Sequence, residues 1–133
     1  MLHNTILKIR DENGTGNIYH ELELRFDKIE VTIRDIIRER VYLEIEKYNK
    51  KADGYKFALV RPKDEEMLLN GRKKVVKHRV NPEKQLEVAL KAFSGNGFFI
   101  LVDDVQAEEL DQVVTIRPDT LISFVKLTPL VGG

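Results

Sequence analysis

The sequence of 133 residues contains no cysteine. This absence excludes disulfide bonds, thiolate metal sites and a cysteine nucleophile. If a protein without cysteine takes part in a thioester relay, it must be the group that is carried. It cannot be one of the enzymes that carry it.

The chain also lacks an excess of charge, since lysine plus arginine and aspartate plus glutamate both number 22. This balance gives no global sign of binding to nucleic acid or to an anionic membrane. No apolar run approaches the roughly 18 residues of a membrane span, and the opening sequence MLHNTILKIR lacks the apolar core of a signal peptide. Glycine and proline are too few, at 8 and 4, for a long disordered chain. We expect one cytoplasmic domain over residues 1–133.

The N-terminal sequence predicts a β-hairpin. Residues 5–11 alternate between apolar and polar, and residues 12–17 contain Asn13-Gly14 and a second glycine, which favour a turn. Residues 18–26 then alternate again. One face of this strand is mostly apolar and consists of Ile18, His20, Leu22, Leu24 and Phe26.

A change of period then predicts a long helix over residues 32–50. Thr32 is the expected N-cap, Asp35 lies in the first turn, and Gly54 follows the C-terminal end. The apolar stripe recurs at steps of three and four. Its members are Ile33, Ile36, Ile37, Val41, Ile45 and Tyr48.

The middle of the chain gives weaker signals. Residues 55–60 favour a short strand and residues 65–69 a helical turn. A second helix is predicted after Asn81, which caps it, with Pro82 in its first position. Its stripe consists of Leu86, Ala89, Leu90 and Phe93, and Gly95 and Gly97 end it.

Three further strands are predicted over residues 98–102, 109–116 and 121–127. The first and last of them are apolar on both faces, so both faces must be covered. The long helix covers one face. The middle segment or a partner protein must cover the other.

This order of a hairpin, a helix and further strands before Gly132-Gly133 resembles the ubiquitin-like β-grasp. Gln106 and Glu108 match a glutamine and a glutamate of ubiquitin's KQLE stretch, while Leu101 and Leu127 take the places of an isoleucine and a valine in its recognition patch. The resemblance implies an α+β fold, a ubiquitin-like β-grasp. It would carry an inserted helical segment at about residues 51–97 and a flexible tail at residues 128–133.

The ending TPLVGG is also similar to the PPVAGG of the molybdopterin-synthase small subunit, a sulfur carrier of the same fold. The whole pattern, insertion included, resembles ubiquitin-like proteins of bacterial operons. Those operons also encode an activating enzyme, a conjugating enzyme and a JAB-type protease. The resemblance implies these partners, together with target proteins, and no cofactor.

The departures from ubiquitin matter as well. The two lysines most used in ubiquitin chains fall on Val105 and Thr120, and the arginine before the last leucine falls on Pro129. The hairpin tip offers Thr15 where ubiquitin has an apolar residue. The resemblance therefore implies an activating enzyme different from that of ubiquitin.

Activation of a C-terminal carboxylate explains what the diglycine would do. ATP converts the carboxylate into an acyl adenylate, and glycines let the backbone approach closely in a narrow site. Gly133 would supply the reacting carbonyl and Gly132 the clearance. Pro129 stiffens the preceding segment, while Leu130 and Val131 offer apolar anchors. The chain is then a substrate and not an enzyme: a protein modifier, a sulfur carrier, or a β-grasp binding module whose diglycine is incidental.

A partner-binding surface is predicted on the outer face of the last strands, at Phe99, Leu101, Val125 and Leu127. The alternative is that the second helix covers this face through Leu86, Leu90 and Phe93.

Other candidate sites have weaker support. The basic run at residues 71–79 could bind nucleic acid, but such runs are usually solvated loops. His3, His20 and His78 lack metal-ligand spacing, and His20 is better explained as a satisfied or edge histidine. Asp103-Asp104 and Glu108-Glu109 are ordinary turn residues. We therefore expect no metal site, no nucleic-acid partner and no catalytic constellation.

Overall fold

The computed structural model describes residues 4–50, 65–69, 72–76 and 80–126. Its helices and strands follow one another along the chain as β1 (Thr5–Asn13), β2 (Ile18–Phe26), β3 (Glu30–Thr32), α1 (Ile33–Lys50), β4 (Glu65–Leu69), β5 (Arg72–Val76), α2 (Pro82–Ser94), β6 (Phe98–Val102), β7 (Val105–Gln106), β8 (Val113–Thr115) and β9 (Ile122–Lys126).

The main sheet has five strands in the order β2-β1-β9-β6-β7. The central pair, β1 and β9, is parallel, and the other neighbours are antiparallel. The chain is therefore a mixed α+β fold, and its sheet is compatible with a β-grasp.

The predicted hairpin is confirmed, and its turn is held by one side chain. Asn13 Oδ1 accepts hydrogen bonds from the backbone of Thr15 and Asn17, both at 3.0 Å. Gly16 has a φ of +88°, a left-handed conformation that glycine adopts without a steric penalty. Between Asp11 and Glu12 a β-bulge shifts the register of the pair.

The long helix is confirmed as α1. Thr32 Oγ1 accepts from the Asp35 backbone N–H at 3.1 Å, and the Asp35 carboxylate accepts from the Thr32 N–H at 2.9 Å, so the two residues form a reciprocal cap. All six residues of the predicted stripe are buried. Gly54, predicted to follow the helix, lies outside the described residues.

The second helix is confirmed as α2, with Asn81 as its N-cap. Asn81 Oδ1 accepts from the N–H groups of Glu83 and Lys84 at 2.9 and 3.4 Å. Ala89 and Phe93 join the same hydrophobic core as α1. Phe93 also meets Phe98, with ring centroids 5.9 Å apart. Both helices therefore pack into one core on one side of the sheet.

One prediction for the middle segment is wrong. Residues 65–69 form β4 and not a helical turn. They pair with β5 so that Leu69 opposes Arg72, with Asn70-Gly71 between the strands. Asn-Gly between two strands is a strong hairpin signal, which the sequence interpretation placed at the end of a helix. The same pairing makes part of the basic run at residues 71–79 a strand. The strand predicted at residues 55–60 lies outside the described residues.

The strand predicted over residues 109–116 is shorter than expected. Only Val113–Thr115 is extended, and it pairs with β3, outside the five-stranded sheet. Before it, the loop bonds to the start of α1: the N–H groups of Ile33 and Arg34 donate to Gln112 O and Leu110 O at 3.1 and 3.0 Å. These hydrogen bonds attach the loop to the start of α1.

Candidate functional site

The predicted partner-binding surface lies where β6 pairs with β9. Phe99 opposes Val125, and Leu101 opposes Ser123. The alternating neighbours Ile100 and Phe124 are fully buried beneath the helices. Phe99, Leu101 and Val125 therefore share the opposite face of the sheet, where each is half-buried. We call these three residues the outer patch; Leu127, the fourth predicted member, lies outside the described residues.

The alternative, in which Leu86, Leu90 and Phe93 of the second helix cover this face, does not agree with where these residues pack, since all three belong to or border the core. Phe93 and Ala89 of α2 are buried in the core shared with α1, and Phe93 contacts Phe98. Phe98 belongs to the same face of β6 as Ile100, since alternate residues of a strand share a face. Phe99 alternates with Phe98 and Ile100 and so belongs to the other face of β6. It nevertheless borders the end of α2, because Phe93 and Phe99 line the same groove.

The outer patch borders a polar strip on β1. Arg10 opposes Ser123 and Glu12 opposes Val125 in the parallel pair. The Nε atom of Arg10 is buried and has no hydrogen-bond partner within the described part of the chain. Ser123, between Arg10 and Leu101 in register, is 2% exposed. The face therefore combines half-buried apolar residues with charged neighbours.

The last strand, β9, ends shortly before the predicted tail at residues 128–133. Lys126, its last residue, opposes Asn13 beside the hairpin turn. The predicted conjugation and tail-recognition residues all follow it, outside the described residues; they are Pro129, Leu130, Val131, Gly132 and Gly133.

A cluster of charged side chains, which the sequence analysis missed, lies near the end of β1. Arg40 binds both carboxylate oxygens of Asp11, with Nη2 2.6 Å from Oδ2, and its Nε donates to Glu44 Oε1 at 3.0 Å. These three residues are at most 2% exposed. His20 Nδ1 lies 3.2 Å from Asp11 Oδ2. We call these four residues the buried charge cluster.

The cluster keeps Arg40 charged. Burial alone would lower the pKa of Arg40, but the hydrogen bonds and charges of Asp11 and Glu44 outweigh it and raise that pKa above its usual value. The guanidinium also lies over the Phe124 ring, 4.5 Å from its centroid. Through these contacts a single side chain of α1 ties together β1 and β9, the central strands of the sheet.

The buried charge cluster is not an open reaction centre. Arg40 and Asp11 are wholly buried and bonded to each other in a two-pronged pair, so their polar atoms face protein and not a substrate cavity. The contact with Asp11 also agrees with the expectation that His20 is a satisfied histidine. His3 and His78 lie outside the described residues.

The acidic pair Asp103-Asp104 occupies a turn, as expected, whereas Glu108 and Glu109 lie in an irregular segment just before the turn at residues 110–111. Asp103 and Asp104 have φ values of 50° and 67° between β6 and β7. Asp103 Oδ1 accepts from the Leu121 N–H at 2.9 Å, which ties this turn to the start of β9. Among the described residues, no group of three or more acidic, histidine or cysteine side chains could hold a metal ion.

No helix within the described ranges is long and apolar enough to cross a membrane. The chain matches no protein-family model, no curated protein and no solved structure.

Proposed function

We propose that this chain is a ubiquitin-like protein modifier, activated at Gly133 by an adenylating enzyme and then joined to amino groups of target proteins. The observation that supports this most directly is the five-stranded sheet with β1 and β9 parallel at its centre. The segment that follows β9 in sequence runs Leu127-Thr128-Pro129-Leu130-Val131 to the glycine pair.

In the proposed reaction a carboxylate oxygen of Gly133 attacks the α-phosphorus of ATP and pyrophosphate leaves. An enzyme thiol then attacks the Gly133 carbonyl carbon, AMP departs, and a thioester forms. A target amine displaces the thiol, leaving an amide bond. The chain itself contains no cysteine and supplies only the acyl group. The enzymes and a JAB-type protease that would release the modifier belong to other chains.

The first test uses a candidate activating enzyme of the ubiquitin-activating type, with ATP and magnesium. We expect pyrophosphate exchange and an enzyme adduct that a thiol reductant removes. Deletion of Gly133 should abolish both signals. Thr128→Ser, a mild change in the same segment, serves as the matched control and should leave them unchanged. If the intact chain gives neither signal with an enzyme preparation that is shown to be active, the proposal is overturned.

Intact mass distinguishes the other functions. Replacement of one carboxylate oxygen by sulfur would assign the chain as a sulfur carrier, for which the similarity of TPLVGG to PPVAGG is the motivating observation. Binding to the enzyme without any ATP-dependent change would leave a non-covalent β-grasp module. Covalent adducts on target proteins, lost in the Gly133 deletion, would support the modifier.

The proposed enzyme contact is the outer patch. Val125→Lys places a charge beside Phe99 and should raise the KM for the chain in the activation assay while kcat stays near the parent value. Ile6→Lys is the matched control, since Ile6 lies on the same face but near the start of β1, before the pairing with β9 begins. Equal effects of the two changes would contradict a role for the patch. Circular dichroism would show whether each variant is folded.

A further inference from the structure

A groove adjoins the outer patch at Phe99 and lies between the C-terminal end of α2 and residues 106–111. Its volume is about 500 Å³. β7 pairs with Leu101 and Val102, and the Ala107 N–H still bonds to Ile100 O. The groove lies beyond this point, between residues 108–111 and the start of β6. The residues that carry the argument are Phe93, Phe99, Glu108, Glu109, Leu110 and Asp111. We call this feature the acidic groove.

The floor of the acidic groove is apolar. Phe93 and Ala107 are buried there, whereas Phe99 and Leu110 are half-buried and keep part of their apolar surface toward solvent. Removal of such surface from water is favourable, and it is most effective in a concave site that surrounds the incoming side chain. The floor therefore fits one large apolar side chain.

Residues 107–111 form one side of the groove, which we call the acidic wall, and hydrogen bonds fix it before any partner binds. The Ala107 N–H donates to Ile100 O at 2.8 Å, and the Glu108 N–H donates to the side chain of Gln112 at 3.0 Å. The bond from Arg34 N to Leu110 O at 3.0 Å attaches the same wall to α1. A wall held in this way loses little conformational entropy on binding, which favours affinity.

The rim of the groove carries negative charge. Glu108 and Glu109 are exposed, and Asp111, with its side chain 87% exposed, pairs with Arg34 at 3.7 Å. Three carboxylates thus face a single guanidinium among the lining residues. This field attracts a basic partner and repels nucleic acid.

We propose that the acidic groove binds a peptide segment of a partner protein in which one large apolar side chain is flanked by lysine or arginine residues. The apolar side chain occupies the floor at Phe99 and Leu110, and the basic residues face Glu108 and Glu109. This interaction is separate from the diglycine tail and does not rest on the proposed modification chemistry.

The probe is the acetylated heptapeptide KKSFSKK, titrated into the isotope-labelled chain at low salt and followed by NMR. We expect shift changes at Phe99, residues 106–111 and the end of α2, with binding that weakens as salt is added. The peptides KKSSSKK and EESFSEE should bind much more weakly. The first lacks the apolar anchor and the second reverses the charge.

Two variants test the acidic wall. Glu108→Gln with Glu109→Gln should weaken binding of KKSFSKK about tenfold, the loss expected for two exposed charge contacts. Ser94→Lys, on the last turn of α2 where a cation suits the helix end, should weaken it by repulsion. The matched control changes Glu83 and Glu87 to Gln, which removes the same charge from exposed positions of α2 outside the groove.

Three outcomes would overturn the proposal. The first is an equal loss of binding in the control pair, which would indicate attraction to the whole surface. The second is no binding of KKSFSKK at millimolar peptide, or shifts confined to another site. The third is a concentration-dependent association of the chain alone in sedimentation velocity, abolished by the Glu108/Glu109 change, which would assign the groove to a second copy.

Discussion

The two faces of the five-stranded sheet use the same strands in different ways. On the helix-covered face Leu7, Ile9, Ile100, Ile122 and Phe124 are completely buried, and so is the charged residue Asp11. On the other face Lys8 and Glu21 form an ion pair whose side chains are 60% and 45% exposed. That face also holds the outer patch.

This difference indicates that burial, more than residue type, decides how much an interaction contributes to the free energy of unfolding. The buried charge cluster is hydrogen-bonded inside the protein, where an unpaired charge would be very costly. The ion pair on the outer face is screened by water, and its side chains can adopt other favourable conformations in which they do not meet. The predictions below test this contrast, beginning with the largest effect.

Arg40→Met should give the largest loss of stability. It leaves the buried carboxylates of Asp11 and Glu44 without their guanidinium, and we expect the free energy of unfolding to fall by about 3–5 kcal/mol. Urea denaturation measures it. Arg34→Met, on the exposed side of the same helix, should cost about 0.5 kcal/mol or less. Comparable losses in the two variants would show that burial of the cluster is not what matters.

Ile100→Ala should destabilise the protein by about 2–5 kcal/mol, because it removes apolar contacts from a fully buried site and leaves a cavity. Ile6→Ala is the matched change on the outer face, where Ile6 is 48% exposed. It should cost about 0.5 kcal/mol. Both values come from urea midpoints at constant m-value. A similar cost at both sites would mean that the outer face is covered in solution.

Lys8→Gln should have a small effect. Lys8 Nζ lies 3.6 Å from Glu21 Oε2 on the exposed face, and such pairs contribute about 0.5 kcal/mol or less at low salt. The difference from the parent protein should vanish in molar salt, because exposed charges are then screened. A loss that persists in high salt would contradict a purely screened surface pair.

Glu39→Gln should have the smallest effect and depends on pH. Partial desolvation raises the pKa of Glu39, and the charges of Asp27 and Asp35 add to this while Arg38 opposes it. A carboxyl with a raised folded-state pKa stabilises the fold below its unfolded pKa, and this contribution is lost as pH rises through the folded pKa.

The Glu39→Gln variant should therefore have a slightly higher Tm than the parent at pH 7, and the difference should shrink as the solution is acidified below about pH 4, where the unfolded carboxyl is protonated. In an Asp27→Asn background the gain at neutral pH should be smaller, since one source of repulsion has been removed. A gain that is unchanged between neutral and acidic solution would rule out the electrostatic explanation.

The sequence predicted the periodic elements well. The hairpin, α1 and α2 were all correct, because strict alternation or a helical stripe coincides with capping residues such as Thr32 and Asn81. These signals are local, and local backbone preferences agree with the final packing in these elements. The β4–β5 hairpin was missed because five-residue strands are too short to separate from a helical turn by period alone.

The buried charge cluster was missed for a different reason. Asp11 continues the alternation of Leu7 and Ile9, and Arg40 and Glu44 continue the stripe of α1. In both elements a charged residue stands at a position where the periodicity predicts a buried apolar one. This is the signal that could have found the cluster. Single-sequence patterns do not show that the two elements meet, which is a property of the tertiary structure. For the same reason, the sequence could not predict on which side of the sheet α2 packs.

The parallel pairing of β1 with β9 has a consequence for how the protein is made. Ile9 opposes Ile122, so the centre of the sheet joins segments separated by roughly a hundred residues, the kind of contact that slows folding. On a ribosome the hairpin and α1 emerge first, and the inner edge of β1 has to wait for the last strand. The buried Asp11 gains its position opposite Phe124 only after β9 has been synthesised. The N-terminal half of the chain is therefore the part most in need of protection from aggregation during translation.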